Sequence, residues 1–123
     1  MPVPVLKQGE VLIASIQSAL TDRDLLDLRD ELAEKVGRFR ARGVIIDVTA
    51  LDVMDSFSTR TLRGLAAATH LRGAETVVVG IQPDVAIALV ELGLTLEGVT
   101  TALDLEEGLA ALAELAEARV RGG

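Results

Sequence analysis

Residues Gly43 to Phe57 run GVIIDVTALDVMDSF. The first six form a compact β-branched run, the composition of a strand covered on both faces. The segment that follows presents Asp52 and Asp55, then the hydroxyls of Ser56, Ser58 and Thr59. From about Phe57 to Leu71 apolar residues return with helical spacing, and Gly73 stands just beyond. A buried strand, a polar connection and a helix in succession make one β-α unit of a parallel sheet. In such sheets function collects outside the carboxyl ends of the strands, so the Asp55-Ser56 junction is a natural place for it.

The flanking sequence repeats the unit. Downstream, Thr76 to Val79 (TVVV) reads as another buried strand. Gln82-Pro83-Asp84 then opens a helix with proline in its first turn, and Gly93 lies past its end. An extended piece near Val99 to Thr101 precedes a last helix, whose start is signalled by Asp104 and Glu107. Leu105, Leu109, Leu112 and Ala116 form its expected inner face, and Arg119 and Arg121 suit its C-terminal dipole. Upstream, Val3 to Leu6, flanked and interrupted by Pro2 and Pro4, reads as an edge strand. Gly9 turns it back into Val11 to Ile16, giving a hairpin. Thr21 and Asp24 then cap a helix with Leu25, Leu28, Leu32, Val36 and Phe39 on one face and Gly43 as its stop. The order is β-β-α-β-α-β-α-β-α, which predicts an α/β fold with a central mixed, mostly parallel sheet flanked by about four helices.

With 123 residues, the chain suits a single domain over 1–123 with a sizeable core. Half of its residues are hydrophobic but only Phe39 and Phe57 are aromatic, so the core must be built from Leu, Val, Ile and Ala. The formal charge of −7 repels phosphate backbones, which argues against nucleic acid and for a partner with a basic face. Absence of cysteine excludes disulfides and thiolate chemistry and fits a reducing compartment. No signal-peptide pattern opens the sequence, and no apolar run approaches the roughly 20 residues of a membrane helix. A cytoplasmic protein is expected.

Enzyme signatures are scarce. His70, the sole histidine, lies on a predicted helix without a nucleophile or metal-ligand cluster at useful spacing, so a surface or half-buried helical role is expected. Neither a phosphate-binding glycine loop nor a GxSxG elbow occurs. Asp47, Asp52 and Asp55 gather near one strand end, but without histidine or a nucleophile–base pair they suggest neither a metal nor a cofactor.

Ser56 has two readings. Ser and Asp are both favoured N-caps, so either Asp55 or Ser56 could do no more than satisfy the first free amides of the helix. Alternatively, Ser56 accepts a phosphate, which the positive end of a helix dipole would favour. A docked neighbour would then meet a new charge of about −1.5 to −2 beside Asp55. The segment Val85 to Val90 (VAIALV) is also double-edged: apolar on every side, it suits either tight core packing or an interface.

Three stretches carry a family resemblance: GVIIDVTALDVMDSF (43–57), VVVGIQPDVAIALVELGL (77–94) and TALDLEEGL (101–109). In this element order they resemble the STAS domain of anti-sigma factor antagonists, most closely the single-domain stressosome branch, the RsbS type. That resemblance implies a non-enzymatic scaffold that holds an RsbT-type serine kinase in a large assembly with RsbR-type STAS paralogues. It implies that Ser56 is the phosphoacceptor, with Ser58 and Thr59 as neighbouring alternatives, and that a dedicated phosphatase resets it. Asp55, Ser56, Phe57 and Arg60, together with Asp84, Val85 and Leu89, are the expected partner-binding residues. The other role open to such a domain is that of a direct antagonist, phosphorylated by the anti-sigma factor that it captures.

Overall fold

The computed structural model describes residues 3–122. The hairpin is formed by β1 (Val5–Gln8) and β2 (Val11–Ser15), antiparallel, with Gly9 at φ 60° in the turn. There follow α1 (Asp22–Phe39), β3 (Gly43–Asp47), α2 (Ser56–Leu71), β4 (Glu75–Val79), α3 (Pro83–Glu91), β5 (Thr100–Ala102) and α4 (Leu105–Gly122). The five strands lie in sequence order in one sheet, β2 to β5 all parallel. Pro2, part of the expected edge, lies outside the described residues. Val3 is buried, but pairing begins at Val5 and runs on to Gln8.

Strand alternation divides the core in two. Leu12, Ala14, Val44, Ile46 and Val78 face Leu28, Leu32 and Val36 of α1 and Leu62 and Leu65 of α2. Ile13, Ile45, Val77 and Val79 point the other way, onto Leu112 and Leu109 of α4. Both faces of β3 and β4 are thus covered, which is why these strands read as continuous apolar runs. Two missing side chains seat α4 closely. A Cβ on Gly108 would come within 2.6 Å of Val79 Cγ1, and one on Gly43 within 2.7 Å of Leu112 Cδ1.

Local sequence accounts for the helix starts. In α1 the Thr21 hydroxyl accepts from the Asp24 amide at 3.0 Å, and the Asp24 carboxylate accepts from the Thr21 amide at 3.3 Å. In α4 the Glu107 amide donates to Asp104 Oδ1 at 2.9 Å. Three expectations need correction. Gly43 does not stop α1; Arg40 does, in the left-handed region at φ 52°, and Gly43 instead opens β3. Phe39 is not an inner residue of α1 but is exposed between Lys7 and Arg38, whose cationic groups lie 5.8 and 5.1 Å from its ring centre. Leu105 too is exposed, because the buried stripe of α4 starts at Gly108.

Candidate functional site

The carboxyl edge of the sheet gathers the starts of all four helices. Between β3 and α2 the chain is pinned by Leu51 and Met54, both buried, while Asp52 and Val53 stay exposed between them. Asp47 anchors the beginning of this loop: its Oδ1 accepts from the Thr49 amide at 2.9 Å and the Thr49 hydroxyl at 2.6 Å. From the next β-α turn, Gln82 Nε2 donates to the Thr49 carbonyl at 2.8 Å and to Asp52 Oδ1 at 3.4 Å. Gly80, at φ 81°, permits this closeness, since a Cβ there would overlap the Thr49 hydroxyl.

Asp55 caps α2. It is extended at φ −90° and ψ −178°, and its Oδ1 accepts from the Ser58 amide at 2.8 Å. The Ser58 amide, and then the Ser58 hydroxyl, hold the Asp55 carboxyl below the ordinary carboxylate range. Ser56 is therefore not the cap. It occupies the first helical position, exposed, its hydroxyl free of any protein hydrogen bond among the described residues. The neighbouring hydroxyls differ. Ser58 is half-buried, and Thr59 is 0% exposed, its Oγ1 donating to the Asp55 carbonyl at 2.9 Å. Thr59 thus does not present an accessible acceptor, contrary to the alternative raised from sequence.

Phe57 is half-buried and Arg60 exposed one turn further on. A small apolar cleft of about 110 Å³ opens beneath Asp55 and Ser58, walled by Leu20, Leu25, Val53 and Met54. Asp84 is exposed at the start of α3, on the same edge. Val85 and Leu89, expected on the partner surface, are instead buried in the core cluster that also holds Leu62 and Leu65 of α2; the large exposed apolar side chains of α3 are Ile87 and Val90. The helix thus buries one side in the core and leaves the other exposed. Asp47, Asp52 and Asp55 are taken up by Thr49, Gln82 and the α2 amides, and no metal-ligating cluster of acids and histidine occurs among the described residues.

The sequence reading missed Thr49, Gly80 and Gln82. Gly80 alone gave a signal, as a glycine directly after a buried strand; that Gln82 reaches back to Thr49 depends on β3 and β4 being neighbours.

The STAS domain family model matches residues 3–108. The chain belongs to the STAS domain family. Among solved structures it is similar to RsbS of Moorella thermoacetica bearing a serine-to-glutamate substitution, at 37% identity and TM-score 0.79, covering 94% of this chain and 97% of that one. It is similar also to a chain from the molecular architecture of the stressosome, described as a signal integration and transduction hub, at 38% identity and TM-score 0.74, covering 92% and 98%. Among curated proteins, the RsbT co-antagonist protein RsbRA of Bacillus subtilis (strain 168) is 28% identical over 93 residues, 76% of this chain and 34% of that protein. The chain spans about a third of the length of the curated relatives it matches. No helix among the described residues is long and apolar enough to cross a membrane.

Proposed function

We propose that this STAS domain is an RsbS-like stressosome scaffold that holds an RsbT-type serine kinase at its carboxyl edge and releases it when Ser56 is phosphorylated. The observation that carries this reading is Ser56 itself: exposed at the first position of α2, and relieved of capping by Asp55. Phosphorylation would transfer the γ-phosphoryl group of the kinase's ATP to Ser56 Oγ, with ADP leaving and the hydroxyl proton passing to a base on the kinase. The product sits at the positive end of the α2 dipole, where its own domain accommodates the charge. A kinase surface lying on Val53, Phe57 and Arg60 would instead meet a new dianion beside Asp55 and Asp52. The likeness to RsbS over nearly the full length of both chains supports the stressosome context, with RsbR-type paralogues as co-assembling partners and a phosphatase for resetting. In this reading the domain works in the cytoplasm, needs no cofactor and catalyses nothing.

The test compares Ser56→Asp and Ser56→Ala for capture of an RsbT-type kinase by calorimetry. Ser56→Ala should bind like the native chain and Ser56→Asp at least about tenfold more weakly, roughly 1.4 kcal/mol. Both should melt close to the native temperature. Undiminished kinase capture by Ser56→Asp, with its fold intact, would overturn the switch. Replacing the kinase with a sigma-binding anti-sigma factor in the same assay distinguishes the scaffold from a direct antagonist.

A further inference from the structure

Asp55 occupies more of the α2 start than a single capping bond. Its carboxylate takes the Ser58 amide at 2.8 Å, and its carbonyl takes the Thr59 amide at 3.0 Å and the Thr59 hydroxyl at 2.9 Å. A phosphate on Ser56 would find these donors engaged. It would also lie next to Asp55 itself, whose carboxyl the Ser58 amide holds below the ordinary range. Asp52 and Asp84 stand exposed on the same edge. Neighbouring acids therefore oppose a dianion at this position, and a cation is needed to offset them.

The helix α2 carries one at the right spacing. Its sequence contains no Asp or Glu, and its two arginines are Arg60 and Arg63. Both are exposed, and neither forms an ion pair among the described residues. Ser56 and Arg60 are four residues apart in the helix, a spacing that places Cβ atoms about 5–6 Å from each other. Helical side chains lean toward the N-terminus, so a long side chain at 60 reaches back over the turn that carries Ser56. The order is also the favourable one, with the anion N-terminal to the cation. Gly64, four residues further on, has open space where a Cβ would go, so Arg60 is not crowded from that side. A guanidinium presents planar donors that match phosphate oxygens two at a time. Arg63 has the same chemistry but stands seven residues from Ser56, about 10 Å along the helix axis.

We propose that Arg60 is the built-in counter-ion of phosphoserine at position 56. Phosphorylation then alters the carboxyl edge twice. It adds a dianion, and it withdraws the Arg60 guanidinium from the kinase-facing surface by binding it one turn back, within the domain. Charge that the domain tolerates through Arg60 is charge that a docked kinase meets with one cation fewer to contact. The inference deepens the Ser56 switch proposed above and rests on it for its biological setting.

Its test needs no kinase, so failure of the pairing and failure of the switch are separable. Phosphoserine is incorporated at position 56 during translation, and phosphorus NMR follows its second ionisation, ordinarily near pH 6. A cation held against the phosphate favours the dianion, so the native chain should ionise at a pH lower than Arg60→Gln by about 0.5 or more. Arg60→Lys, which keeps the charge, should restore at least half of that difference. Arg63→Gln should stay within about 0.2 of the native chain, its charge being about one Debye length from the phosphate at about 0.1 M salt. The proposal is overturned if the native chain and Arg60→Gln titrate together, or if Arg60→Lys restores nothing. It is overturned equally if Arg63→Gln moves the ionisation as far as Arg60→Gln does, since the effect would then be one of net charge. Position 60 is exposed, so these substitutions empty no packed site, and circular dichroism verifies that each variant is folded.

Discussion

At the junction of β3 and α2, capping and phosphate acceptance are divided between adjacent residues. Asp55 takes the Ser58 amide, and Ser56 is left with a free hydroxyl at the protein surface. Asp55→Ala should cost about 1 kcal/mol at neutral pH, the usual loss for an acidic N-cap. The carboxyl of Asp55 is depressed in the folded state, chiefly by that amide. A depressed carboxyl contributes stability that is present above its unfolded value, about 3.9, and is lost as pH falls through the lower folded value. The stability difference between native protein and Asp55→Ala, measured by thermal melts from pH 7 to pH 3, should therefore narrow at the acid end. Asp55→Asn, which keeps the cap without an ionisable group, should show a shallower acid dependence than the native chain. The division of labour could not be read from the sequence, since Asp and Ser are equally good caps and adjacent. It takes the backbone, extended at Asp55 and helical at Ser56, to separate them.

At the level of elements, α3 shows where pattern reasoning reaches its limit. VAIALV has apolar residues on every side, so no stripe marks the inner face. The structure buries Val85 and Leu89, one turn apart, and leaves Ile87 and Val90 outward, 57% and 78% exposed. Leu89→Ala should cost about 2–5 kcal/mol, the range for emptying a buried leucine site. Ile87→Ser should change stability by no more than about 0.5 kcal/mol. Urea unfolding of the two variants tests both; comparable losses would mean that the helix is packed on both sides. Helix starts were legible throughout α1 and α4, because Thr21 with Asp24 and Asp104 with Glu107 encode their hydrogen bonds locally. The end of α1 was not. Arginine is a poor signal for a left-handed residue, and Gly43, the obvious glycine, is needed against Leu112. Buried strands were legible for the opposite reason: β3 and β4 are covered on both faces, and nothing in a loop resembles such a run.

Across the whole molecule, the sheet is covered unequally. Three helices pack on one face, while α4 alone shields Ile13, Ile45, Val77 and Val79 on the other. Its depth of contact is set by the absence of a side chain at Gly108, buried against Val79. Gly64, in α2, is the control: it is exposed, helical, and has open space where a Cβ would go. In both helices alanine is intrinsically favoured over glycine by about 1 kcal/mol. Gly64→Ala should therefore stabilise the domain by up to that amount. Gly108→Ala should destabilise it by about 1–3 kcal/mol, because α4 must lift or Val79 must leave its rotamer, and either outweighs the helix propensity gained. The same substitution thus acts with opposite signs, read as urea midpoints moving apart at unchanged slope. If Gly108→Ala proved as stabilising as Gly64→Ala, α4 would not be seated on the sheet through its glycine, and the one-helix cover of that face would have to rest on Leu109, Ala111, Leu112 and Leu115.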